Sequence, residues 1–188
     1  MQPRTRRRSE DFVLQFPLEA VREYAARFDA AGDDAALALG RAARERGHYT
    51  REEFVAACRW KTPRSAPLVA RNTRQAVEAA TRVALGREGS AGERMDALRA
   101  LHGVEWATGS VLLHLAYPDR YPILDVRALH ALGVTGRTSY TTAFWEAYVA
   151  ECERLAAAAR VDGRTLDRAL WQWSREQGPG RLGARALG

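Results

Sequence analysis

LHGVEWATGS, residues 101–110, is the stretch on which the reading of this chain turns. Met95, Leu98 and Leu101 recur at helical spacing and the run stops at Gly103. His102–Glu105 make a tight turn, and a second helical run, WATGSVLLHLAY, starts at Trp106 and ends at Pro118. Two readings stand. The turn is an ordinary helix–helix connector, or a hairpin whose backbone N–H groups and helix dipole suit a phosphate oxygen. Small turn residues let a DNA backbone approach closely, a contact that positions a protein on DNA without reading its sequence.

The chain on either side is helical as well. Residues 1–16 form a basic arm, and from Pro17 the positions Leu18, Val21, Tyr24, Ala25 and Phe28 recur at three- and four-residue spacing. A second helix is predicted from Asp33 to Arg46, ended by Gly47, and Thr50 with Glu53 reads as a capping box. Pro63 and Pro67 break the next stretch. A further helix starts near Asn72, which offers a cap, and ends at Gly86. GREGSAG, 86–92, is a loop. Beyond the DRYP turn, Asp125 stands where an N-cap belongs, just ahead of VRALHAL, and Gly133 closes that helix. Longer helices follow near 141–159 and 164–176, then a Gly-rich, flexible tail over 177–188. No strand-length alternation and no internal repeat is found, so the fold class is all-α, with roughly ten short helices.

Composition narrows the function classes. The 188 residues suit one domain, or two small lobes sharing a core. No apolar run approaches the ~18 residues of a membrane span, and no apolar signal core follows MQPRTRRRSE, which predicts a cytoplasmic protein. Cys58 and Cys152 lie outside any CxxC or Cys/His cluster, excluding a four-cysteine iron–sulfur cluster and pointing to reduced thiols without a metal site. The net charge is +6, of which Arg4, Arg6, Arg7 and Arg8 supply four, so basicity alone is weak support for nucleic-acid binding. Of 29 basic residues, all but Lys61 are arginine. Coding drift explains that bias, or a site at Lys61 needs a compact, flexible point charge rather than a planar fork.

LHGVEWATGSVLL resembles the helix-hairpin-helix motif L-P-G-V-G-x-x-T-A of the endonuclease III / alkyladenine glycosylase (HhH-GPD) superfamily. PILDVRALHALG matches that family's catalytic aspartate segment, in which the Asp starts a helix after a Pro-containing loop. The resemblance is strongest over 95–133. It implies a two-lobed helical glycosylase fold over 17–176, with a central lobe of about 47–124 carrying the hairpin, 95–117, and a second lobe from about 17–46 plus 125–176. It implies a monofunctional DNA glycosylase that flips a modified base from duplex DNA and hydrolyses its N-glycosidic bond, with Asp125 as the catalytic carboxylate and no cofactor. Ala107, 18 residues before Asp125, takes the place of the lysine of bifunctional members. The family's iron–sulfur cysteines are missing.

The same resemblance assigns DNA contact to His102, Gly103, Val104, Glu105, Trp106 and Thr108. Glu105 stands where the motif has its second glycine; its carboxylate repels phosphate or folds back to cap the next helix. The loop around Arg59, Lys61 and Arg64 falls where the family faces DNA. Trp60, Lys61, Trp106 and Tyr121 are the candidates for a base pocket or wedge, whereas Phe144, Trp145, Trp171 and Trp173 read as packing residues. The expected partner is double-stranded DNA, bound by a nucleoid-associated monomer. Alkylated purines, deaminated bases and hypermodified phage pyrimidines all remain as substrates, for repair or for phage defence. The rival readings are a non-catalytic DNA-binding module and a helical interaction domain that has lost DNA contact.

Overall fold

The structure is a computed structural model that describes residues 12–178. Its helices are α1 (Val21–Ala26), α2 (Asp33–Arg46), α3 (Arg51–Lys61), α4 (Ala66–Val69), α5 (Arg74–Leu85), α6 (Ala91–Arg99), α7 (Trp106–Ala116), α8 (Val126–Ala131), α9 (Thr142–Ala159) and α10 (Gly163–Glu176). Short 3-10 turns occupy Leu18–Ala20 and Pro63–Ser65. Among the described residues there is no strand, and the chain is all-α. No helix among them is long and apolar enough to cross a membrane.

Local chemistry sets most helix ends. α2 places Asp33 and Asp34 in its first turn and Arg44 and Arg46 in its last, complementing the helix dipole, and Gly47 ends it at φ +86°. The predicted capping box at α3 is present: Thr50 Oγ accepts from Glu53 N at 3.2 Å and Thr50 N donates to the Glu53 carboxylate at 2.9 Å. A second box, Ser90 with Glu93, opens α6, so residues 91 and 92 of the expected loop are already helical. The cap of α5 is Thr73, whose hydroxyl accepts from Ala76 N, not Asn72.

α7 is buried around almost its whole circumference and forms the centre of the fold. α2, α3, α5 and α6 pack against it, while α1, α8 and α9 pack against α10; α6 meets α9 and joins the two groups. Of the stretch 17–46 that was expected in the second lobe, only α1 lies on α10, because α2 packs on α7 and α3. The reason is Gly40: a Cβ there would fall inside the van der Waals shell of the Leu115 carbonyl, so the two helix backbones nearly touch. Gly40→Ala is expected to remove about 3 kcal/mol of stability, since backbone cannot give way as a side chain can. A lower urea midpoint at unchanged m-value checks this, and an unshifted midpoint contradicts the close crossing.

The basic arm expected over 1–16 ends earlier than predicted. Val13 N donates to Leu132 O and Gln15 N to Ala131 O, both at 2.9 Å. Phe16 is buried against Tyr24 and Trp173, and Phe12 packs on Phe144 and Tyr148. Apolar burial thus draws 12–16 into the fold. Arg4, Arg6, Arg7 and Arg8 and the tail beyond 178 lie outside the described residues.

Candidate active site

Asp125 is the N-cap of α8. Its Oδ1 accepts from the N–H groups of Arg127 at 2.9 Å and Ala128 at 2.8 Å, which fixes the side chain. Its Oδ2 accepts from Lys61 Nζ at 2.9 Å. The chain's single lysine, at the end of α3, therefore meets the candidate carboxylate 64 positions away. The two side chains are 22% and 14% exposed, so the pair is shielded but open to a ligand.

Both line a cleft of about 220 Å³. Trp60, Phe28 and Trp171 supply aromatic walls, and Asp33, Arg164 and Asp167 supply further charge. Phe28 meets Trp171 edge-to-face at 5.3 Å, and the guanidinium of Arg127 lies 5.1 Å from the Trp171 ring centroid. A planar ring can stack on such walls, so Trp171 belongs to the site although its sequence pattern reads as packing. The strong amphipathicity of α10 was the available signal: Trp171 stands at an intermediate, not a buried, position on that helix.

The polar wall is a network that sequence reading missed. Arg164 pairs with Asp33, its Nη1 lies 3.4 Å from Asp167 Oδ2, and the same Nη1 donates to His114 Nε2 at 2.8 Å. Because a guanidinium only donates, His114 carries its proton on Nδ1 and donates it to Tyr121 O at 2.7 Å. Burial lowers the His114 pKa and favours this neutral form. Asp167 Oδ1 accepts from Ile123 N, Ser110 Oγ from Leu124 N, and Ile123 O accepts from the Tyr148 hydroxyl, each at 2.9 Å. Four side chains from α7, α9 and α10 thus hold the loop that delivers Asp125, which leaves its oxygens little freedom to wander.

The hairpin has the expected turn. Gly103 sits at φ +76°, and a Cβ there would come within 2.8 Å of Leu68 Cβ, so both conformation and space require glycine. Asn72, buried, clamps the turn from the α4–α5 connection: Nδ2 donates to His102 O and to Val69 O, and Oδ1 accepts from His102 N, all at 2.9 Å. Both main-chain groups of His102 are therefore engaged within the protein. Asn72→Ala is expected to cost roughly 2 kcal/mol by orphaning these buried groups. Amide exchange at His102 should rise well above that in the α7 core; an unchanged rate would refute the clamp.

Glu105 does not cap α7. It occupies the N-cap position without a side-chain hydrogen bond into the helix, is 80% exposed, and reaches Arg99 at 3.8 Å. Arg99 in turn stacks on Trp106 at 4.1 Å. Trp106 is buried beneath it and does not line the cleft; nor does Tyr121, which is buried and stacked on Trp145. Both are too deep in the core for the pocket role proposed from sequence. Val104 and Thr108 are buried, and Ala107 is half-buried. Arg59 near the end of α3 and Arg64 in the following 3-10 turn are exposed, and of this segment only Trp60 and Lys61 reach the cleft.

Cys58 and Cys152 are buried free thiols, and burial pushes Cys58 up to about 12, so neither suits thiolate chemistry at neutral pH. Among the described residues no group of three or more His, Cys, Asp or Glu side chains is placed to hold a metal ion. No family model, curated protein or solved structure matches this chain.

Proposed function

We propose that this protein is a monofunctional DNA glycosylase. The observation that carries the reading is Asp125: one oxygen is locked into the cap of α8, and the other meets a lysine in a cleft walled by aromatic rings. An N-glycosidic bond breaks through an oxocarbenium-like sugar, which a fixed carboxylate stabilises while it orients or deprotonates the attacking water. The reacting carbon is hidden in duplex DNA, so the nucleotide is flipped out first. The hairpin 95–117 would anchor the DNA backbone, with Trp60 and Trp171 stacking the flipped base. Ala107 offers no amine, so amine attack and strand cleavage are not available from this position.

A mass-spectrometric screen of bases released from lesion-bearing oligonucleotides and phage DNA tests the proposal. The expected products are a free modified base and an abasic site. A second reading, a non-catalytic DNA-binding module, draws on the engagement of both Asp125 oxygens by protein donors. It predicts binding that falls steeply with salt and no base release from any substrate.

A further inference from the structure

We infer that Lys61 is the acid that protonates the departing base, and that the substrate base is therefore neutral in DNA and not a cationic alkylated purine. The inference rests on the glycosylase reading above and adds to it a second catalytic residue and a substrate class.

The paired charges match the bond that would break. Cleavage of an N-glycosidic bond leaves positive charge on the sugar and negative charge on a neutral base. A carboxylate answers only the sugar. An ammonium 2.9 Å from that carboxylate weakens its effect unless the ammonium faces the opposite charge, the base. Lys61 is placed for that role. It follows Trp60 at the end of α3, and both side chains line the cleft, so the ammonium comes from the wall on which the base would stack. An ammonium has three N–H groups, and one bond to Asp125 leaves two for a ligand. Asp33 and Asp167 are matched by Arg164, with Arg168 3.7 Å from Asp33, which leaves the partly exposed Lys61–Asp125 pair open to chemistry.

The composition agrees, since every other basic residue is arginine. For an ion pair with a carboxylate alone, the bidentate fork of arginine is the better partner. A guanidinium keeps its proton, whereas a lysine can give one up.

The step balances without any oxidant or metal. The C1′–N bond breaks with its electron pair going to the base, and Nζ gives that base one proton. The oxygen of a water adds to C1′, and the water's proton passes to Asp125 Oδ2. Across the Asp125–Lys61 hydrogen bond this proton returns to Nζ, restoring the ammonium and the carboxylate. The products are the free base and an abasic sugar. A purine alkylated on N3 or N7 already carries positive charge, departs neutral without an acid, and meets the ammonium as a like charge.

The test measures single-turnover base release by the full chain. The probes are duplexes carrying uracil, hypoxanthine or 5-hydroxymethylcytosine, phage DNA with neutral modified bases, and a duplex carrying N7-methylguanine. The expected result is release of a neutral base by the wild type. Lys61→Met should lower that rate about a hundredfold or more. Lys61→Arg keeps the charge and an ion pair with Asp125 but gives no proton, so it should fall about as far. Thermal melts check that both variants are folded. A rate for Lys61→Arg close to wild type would mean that Lys61 only holds Asp125, which overturns the inference and leaves the glycosylase reading standing. Release confined to N7-methylguanine does the same. No release from any of these DNAs overturns both.

Discussion

Asp125→Asn is expected to lower base release roughly a hundred- to ten-thousandfold while leaving the fold intact. Asparagine is as good an N-cap as aspartate, so the bonds from Arg127 N and Ala128 N survive. The amide keeps the shape of the carboxylate but loses the charge that would stabilise the sugar cation and hold Lys61. The lost ion pair is partly exposed and costs at most about 1 kcal/mol, a melting shift of about 2–4 °C for a chain of this size. Release kinetics on a substrate found in the screen, set beside a thermal melt of the same preparation, separate the two effects. Undiminished release from Asp125→Asn would end the carboxylate mechanism.

Arg164→Ala should cause the largest loss of stability of any substitution in the cleft, roughly 3–5 kcal/mol. Asp33 and Asp167 are buried, and Arg164 is the cation that reaches both. Truncation leaves two carboxylates with weakened compensation and removes the donor to His114 Nε2. The damage travels outward, since Asp167 also holds Ile123 N and His114 holds Tyr121 O, on either side of Pro122 in the loop before Asp125. Chemical denaturation reads the stability, and base release measured well below the melting temperature reads the displaced loop. A midpoint close to wild type would mean that water already solvates Asp33 and Asp167, contrary to their burial.

The parts of the fold that were legible in the sequence were the parts decided within about four residues along the chain. Thr50 with Glu53 announces the start of α3, Gly47 the end of α2, and Asp125 the start of α8, because an N-cap side chain accepts from N–H groups two or three residues on and Gly47 N donates to carbonyls three and four residues back. Hydrophobic spacing located the longer helices for the same reason. The error over 12–16 has a local cause too: its basic neighbours upstream mask a short apolar segment whose value lies in the pockets it fills, which no periodicity records. Trp106 and Tyr121 look like pocket aromatics by position, yet their environment is set by Arg99 and Trp145, partners a linear reading cannot supply.

Asp125 and Lys61 could each be singled out from the chain alone, one by its place before a helix and the other by its rarity. That they form one pair across 64 positions was decided by the packing of α3 against α7 and by the clamped loop 121–124. The Asp33–Arg164 contact spans 131 positions and leaves no trace in either local segment. Caps, turns and helical faces are written in short-range bonds and so are carried by the residues in order. A shielded charge pair in an aromatic cleft exists only once distant helices exclude water together, and that exclusion belongs to the tertiary structure.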